Sequence, residues 1–215
     1  MAQRGSRSRN SGLVIQPYER VLLVGKTGCG KTTLGKAYAG GFHNVMVLDT
    51  KGTFTWTGVP IVRTFDELKK KSDGMEGKFI YRPIDREMNG DFMDVFFEYV
   101  YKRRNTVAYV DELAQVADLV GGDGISPNWQ NIMQRGRELG VGIFNSTQRP
   151  KSIPLMALSE SEHTFCFRLK LDDDRKRVAE FMGRTVLETR LKGHGFIYMH
   201  ESMETPVVMP EGIPL

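Results

Sequence analysis

Apolar residues in this chain cluster in short unbroken runs at 21–24, 45–48, 78–81, 106–110, 141–145, 164–168 and 195–199. Runs of four or five without alternation mark strands covered on both faces, the habit of a parallel sheet. Between them lie stretches with helical spacing of apolar positions, at 33–39, 91–101, 113–119, 127–139 and 172–181. In the second of these, Phe92, Val95, Phe96 and Tyr99 are expected to form the face turned to the core. Gly121, Gly122 and Gly124 interrupt the pattern and predict a flexible loop. Strand and helix alternate with no internal repeat. The fold class expected is therefore α/β, a mainly parallel central sheet flanked by helices.

At 215 residues the chain has room for one such domain and little else. The boundaries expected are a disordered basic arm at 1–16, the α/β domain at 17–200 and a tail at 201–215. No apolar stretch approaches the roughly eighteen residues that span a bilayer, and the N-terminus lacks the apolar core of a signal peptide. A soluble, cytoplasmic protein is expected. The net charge is only +4, yet the positive residues cluster. Arg4, Arg7 and Arg9 stand among Ser, Gly and Asn, a composition suited to an unfolded arm that touches an anionic polymer. The triplets Lys69, Lys70, Lys71 and Lys102, Arg103, Arg104 read either as further anion contacts or as solvated helix ends, where cations favour the dipole. Cys29 and Cys166 have no metal-ligand spacing to the histidines, so His163, His194 and His200 are expected to be packing or surface residues.

The first chemical signal is Gly25-Lys26-Thr27-Gly28-Cys29-Gly30-Lys31-Thr32, which fits the phosphate-binding pattern G-x-x-x-x-G-K-S/T between a strand and a helix. Gly25, Gly28 and Gly30 let the backbone curl so that its N–H groups face a phosphate chain at a helix N-terminus. Lys31 is expected to reach the β- and γ-phosphates, the Thr32 hydroxyl to hold Mg²⁺, and Thr33 to border the same site. The ligand this predicts is a nucleoside triphosphate, ATP, with Mg²⁺.

The second signal is Asp111-Glu112 at the end of an apolar strand, the edge where open α/β sheets place ligands. Asp111 fits the residue of the magnesium shell and Glu112 a general base for a water attacking the γ-phosphate. The structural alternative is a helix N-cap, since a helix is expected to follow. Eighty positions separate Lys31 from Asp111, with strand candidates between. GTPase-like folds pair these two strands directly. RecA-like motors insert a strand between them, and a Glu beside the Asp suits the motors.

Residues 134–150 read Q-R-G-R-E-L-G-V-G-I-F-N-S-T-Q-R-P. An arginine, a Gly-containing turn, an apolar strand and then T-Q-R-P resemble the FtsK/HerA superfamily of DNA-pumping ATPases. Asp49-Thr50-Lys51-Gly52 is similar to the family's D-x-K-G element, and Gly193-His194-Gly195 to its G-x-G approach to the closing strand. The resemblance spans about Arg20 to Met199. It implies a RecA-like (ASCE) P-loop fold, a homo-oligomeric ring of commonly six subunits, nucleotide held between neighbours, and double-stranded DNA through the centre. Arg137 matches an arginine finger acting on the neighbour's nucleotide. Arg135 is the fallback, two residues away and expected to point elsewhere on the same helix. Gln148 matches the polar sensor at the strand end, and Arg149 and Lys151 are open to DNA or nucleotide. A bare motor core of this size resembles the genome-packaging ATPases of tailless, internal-membrane DNA viruses. Those act in the host cytoplasm and at a capsid vertex, against a capsid or membrane vertex protein. The alternatives are another pump of the superfamily, serving plasmid transfer or segregation, a small-molecule kinase, and a nucleotide-gated scaffold.

Overall fold

The computed structural model describes residues 13–213. In chain order the elements are β1 (Arg20–Val24), α1 (Lys31–Gly40), β2 (Val45–Leu48), β3 (Ile61–Val62), α2 (Phe65–Ser72), β4 (Lys78–Tyr81), α3 (Gly90–Arg103), β5 (Val107–Val110) and α4 (Leu113–Val120). They continue with α5 (Pro127–Arg135), β6 (Gly142–Thr147), α6 (Leu155–Ser159), β7 (His163–Phe167), α7 (Asp172–Met182), α8 (Thr185–Glu188), β8 (Phe196–His200) and β9 (Val207–Met209). The strands form one sheet in the order β3-β4-β2-β5-β6-β1-β7-β8-β9. Pairing is parallel from β3 to β7 and antiparallel from β7 through β9. β6 lies between β1 and β5, the inserted strand of the RecA-like arrangement.

Both faces of the central strands are buried, and the period of two divides their side chains between two cores. Leu22, Val24, Met46, Leu48, Ala108, Val110 and Ile143 meet the helices α2 to α8 on one face. Val21, Leu23, Val45, Val47, Val107, Tyr109 and Phe144 meet α1 and an aromatic layer on the other. In that layer Phe54 and Phe144 lie on either side of Tyr109, with ring centroids 5.1 and 5.9 Å from it. The phosphate-loop helix sits close enough to the sheet that Gly35 is required. A Cβ there would come within 2.3 Å of the Tyr109 hydroxyl.

The core-facing side of α3 is shifted around the helix from the one the periodicity indicates, with Phe96 buried as expected and Phe92 and Tyr99 packed at its margin. Met93, Phe96, Phe97 and Val100 are buried, while Phe92 and Tyr99 are half-buried and Val95 is exposed. Two aromatic stripes share this helix, and contact with α4 and α5 selects the stripe containing adjacent Phe96 and Phe97. Each of the four side chains contributes about 1.5–3 kcal/mol by leaving water.

Three boundaries also move. The helix expected over 127–139 ends at Arg135 and continues as a 3₁₀ turn, Gly136–Leu139, closed by Gly140 in the left-handed region. Val207–Met209, expected within a tail, pairs with β8 and is the last strand. Of the expected basic arm, residues 1–12 lie outside the described residues, while Ile15 is buried in the α1-side core. Lys69, Lys70 and Lys71 stand in the last turn of α2, and Lys102 and Arg103 in the last turn of α3. Lys71 pairs with Glu67 and Lys102 with Glu98 one turn back, the arrangement of solvated helix ends. Among the described residues no helix is long and apolar enough to cross a membrane.

Candidate functional site

The parallel strands deliver their C-terminal ends to one edge, and the phosphate loop, the Asp-Glu pair and the T-Q-R-P stretch arrive there. β1 leads into the loop at Gly25, β2 into Asp49, β5 into Asp111 and Glu112, and β6 into Gln148. A cleft of about 460 Å³ at this edge is lined by Thr27, Gly28, Gly30, Lys31, Thr32, Thr33, Lys51, Thr53, Asp111, Gln148 and His194.

The loop is held from both sides. The Gly25 N–H donates to the Thr147 carbonyl and the Lys26 N–H to the Arg168 carbonyl, tying it to the ends of β6 and β7. Gly25 packs so close to β7 that a Cβ would lie 2.6 Å from that of Phe167, with the buried Cys29 sulfur 2.8 Å away. Gly30, at φ 107°, turns the chain into α1 in a conformation that side chains disfavour. Lys31 is buried, and its ammonium donates to the carbonyls of Gly25 at 2.6 Å and Lys26 at 3.1 Å. Burial lowers its pKa, an effect opposed by the charges of Cys29, Glu112 and Asp111. The Thr27 hydroxyl donates to Gln148 Oε1 at 2.6 Å, placing the polar end of β6 against the phosphate loop.

The two acids have different surroundings. Burial, followed by the charge of Asp49, pushes the Asp111 carboxyl up to about 6, with Lys51 and Lys31 acting in the opposite sense. A cation beside Asp111 is thus favoured. Asp111 and the Thr32 hydroxyl are hard oxygen donors on one cleft, a set that could hold Mg²⁺. Glu112 stands at the N-cap position of α4, yet its side chain makes no capping bond. It turns instead toward β6, where Oε1 accepts the Thr147 hydroxyl at 2.7 Å and the Gln148 N–H at 3.0 Å. Its Oε2 is paired with the Lys51 ammonium.

Asp49, the first residue of the D-T-K-G stretch, does not face the cleft. It is fully buried, accepts the N–H groups of Thr53 and Phe54, and pairs with Arg82 at 2.8 Å. It fixes the loop that carries Lys51. Lys51 and Thr147 are site residues that sequence reasoning leaves without a role, although they lie inside the D-x-K-G and T-Q-R-P stretches. His194, expected to be a packing or surface residue, also borders the cleft. His163 is a packing residue, bridging Tyr198 and Glu19 at 2.9 Å each.

Arg135 and Arg137 are not at this edge. They lie where α5 and the 3₁₀ turn lead into the start of β6, lining one surface depression with Arg20, Gln134 and Glu138. The helix ends between them, and both line this depression. Arg137 lies over the Tyr18 ring at 5.4 Å and forms no ion pair among the described residues. Six residues of β6 put about 20 Å between this end and the phosphate loop. Arg149 and Lys151 are engaged with the start of α7, pairing with Asp174 at 3.2 Å and Asp173 at 2.6 Å.

A family model described as ABC transporter matches residues 9–125, more than half of the chain, covering the phosphate loop and both acids. Protein P9 of Pseudoalteromonas phage PM2 is 27% identical over 149 residues, 67% of this chain and 66% of the relative. DNA packaging ATPase P9 of Enterobacteria phage PRD1 is 24% identical over 176 residues, 76% of this chain and 70% of the relative. The chain thus spans about two thirds of the length of the curated relatives it matches. Among solved structures, the genome packaging NTPase B204 of Sulfolobus turreted icosahedral virus 2, in complex with AMPPCP, superposes with a TM-score of 0.69 at 17% identity. That match covers 93% of this chain and 100% of B204. The chain belongs to the P-loop ATPase family that the ABC transporter model describes, and its fold is the FtsK/HerA-type fold of the viral genome-packaging ATPases.

Proposed function

We propose that this chain is an ATP-driven double-stranded DNA translocase that packages a viral genome into a preformed capsid. The observation that carries the reading is the placement of Glu112, held by the end of β6 at the edge where the phosphate loop ends β1. A kinase acting on a small acceptor has no use for a built-in base for water, and a scaffold that only binds nucleotide has none either. The name of the PRD1 relative, DNA packaging ATPase P9, supports DNA as the substrate.

In this reading the loop N–H groups and Lys31 hold the phosphate chain, and Thr32 and Asp111 hold Mg²⁺. The metal, when bound, neutralises charge on the phosphates. Gln148 orients the attacking water, whose proton passes to Glu112 as its oxygen bonds to the γ-phosphorus. The bond to the β–γ bridging oxygen breaks, releasing ADP and phosphate. Arg137 acts on the nucleotide of a neighbouring subunit, with Arg135 as the alternative. Both stand about 20 Å from their own phosphate loop and are exposed, so they serve only a neighbour's site. A ring of six such subunits encloses the duplex, in the host cytoplasm and at a capsid vertex, where a capsid or membrane vertex protein receives it. The basic N-terminal residues add phosphate contacts.

Turnover measured with and without duplex DNA at low salt tests the proposal. Duplex is expected to raise the ATPase rate several-fold, with the gain shrinking as salt rises. Turnover indifferent to DNA at every salt concentration contradicts it in favour of a phosphotransferase, and tight binding without turnover in favour of a scaffold.

A further inference from the structure

Glu112 carries more partners than a base awaiting a water needs. Thr147 and the Gln148 N–H already fix Oε1, so the carboxylate is positioned without help from Lys51. The Lys51 ammonium nevertheless occupies Oε2, the oxygen that remains to take a proton. Nor does the Lys51 loop depend on that ion pair. Asp49 anchors it through Thr53, Phe54 and Arg82, and the Thr50 hydroxyl donates to Gln115 at 2.9 Å. The result is a long, partly exposed lysine on a fixed backbone, at the rim of the cleft that Lys31, Thr32, Asp111 and Gln148 line. A lysine stem can sweep its ammonium several ångströms without moving the main chain.

We propose that Lys51 is a second phosphate-contacting lysine, which leaves Glu112 for the γ-phosphate when a triphosphate occupies the cleft. The inference rests on the ATPase reading above and adds a residue to it. The transfer exchanges one carboxylate oxygen for phosphate oxygens of greater total charge and uncovers Oε2 for the proton of the water. A diphosphate offers no γ-phosphate, so Lys51 stays on Glu112 and the base stays covered. One side chain thereby senses the substrate and releases the base.

Affinities for ATPγS and ADP, measured by calorimetry on the full chain without DNA, test this in four proteins: wild type, Lys51→Met, Glu112→Gln and the double variant. Lys51→Met is expected to weaken ATPγS about tenfold or more, the loss of one charge-assisted hydrogen bond. ADP affinity should stay within about twofold, which also certifies the fold. Glu112→Gln is expected to tighten ATPγS but not ADP, because no ion pair must break, and the tightening should vanish when Lys51 is also replaced. Persistence of the tightening in the double variant would overturn the proposal, assigning it to relief of repulsion between Glu112 and the γ-phosphate. An unchanged ATPγS-to-ADP ratio in Lys51→Met overturns it as well. Equal loss of both nucleotides in Lys51→Met and Lys51→Gln makes Lys51 a brace of the loop and likewise overturns it. A wild type that binds neither nucleotide overturns the ATPase reading itself.

Discussion

Replacing Asp49 by Ala tests how the cleft is built, because this carboxylate holds the loop behind Lys51 without facing the cleft. It is fully buried and satisfies three donors: the N–H groups of Thr53 and Phe54 and the Arg82 guanidinium. Arg82 in turn donates to the Phe54 carbonyl at 2.9 Å, so the ion pair and the loop backbone form one network. Removing the acid leaves a largely buried guanidinium without its counter-charge. Breaking a buried pair from one side costs about 3–5 kcal/mol. The two orphaned N–H groups add to this only in part, since the members of one network are not additive. At roughly 2–4 °C per kcal/mol for a chain of this size, the melting temperature should fall by about 6–20 °C. Differential scanning of Asp49→Ala, Arg82→Met and the double variant supplies the measurement. The double variant should lose less than the sum of the singles, because neither charge is then left uncompensated. A fall under about 2 °C for Asp49→Ala, or strict additivity, would refute the reasoning.

Lys31→Ala is expected to abolish nucleotide binding, whereas Glu112→Gln should bind ATP and lower turnover by about 10²–10⁴-fold, read from parallel affinity and rate measurements. Gly35→Ala should destabilise the chain by about 1–3 kcal/mol in urea melts, because its methyl would meet the Tyr109 hydroxyl at 2.3 Å. Tyr109→Phe should rescue it only in part, because the ring carbons would still lie 2.8 and 2.9 Å from the new methyl, and by itself should be neutral or stabilising, since among the described residues that buried hydroxyl has no partner. Burial lowers the His163 pKa against the opposing pull of Glu19, so the unfolded chain takes up the proton first. Stability should be full above about pH 6.5 and decline as pH falls toward the folded-state value, and His163→Gln should flatten the melting-temperature slope between about pH 7.5 and 5.5.

The central strands were legible because they are covered on both faces, and that burial demands unbroken apolar runs bounded by polar turns. The phosphate loop, Asp111 and Glu112 were legible because their chemistry is local: a strand end, a turn and a helix start lie within a few residues. β3 was not, since two residues carry no period, and β9 was not, since its alternate residues lie on a half-exposed sheet edge. The α3 face was legible only in part, with Phe96, Phe92 and Tyr99 meeting the core and Val95 not, because Phe92-Met93 and Phe96-Phe97 offer two apolar stripes and packing partners set the balance between them. Lys51 and Thr147 stand inside recognisable motifs, but their role depends on the fold bringing them to Glu112 across sequence separations of 61 and 35 positions. The relation of Arg135 to Arg137 depended on where α5 ends. Right after that point stands Gly136, where a Cβ would meet the Val141 carbonyl at 2.4 Å.

The claim that ATP turnover at this site moves the protein along duplex DNA is tested most directly by displacement of a third strand annealed to a linear duplex, followed in real time. Wild-type protein with ATP is expected to release the third strand after a lag that lengthens with its distance from the loading end, while Glu112→Gln binds ATP and releases none. Release without ATP, release by Glu112→Gln at the wild-type rate, or no release by a wild type that hydrolyses ATP on the same DNA would contradict the account.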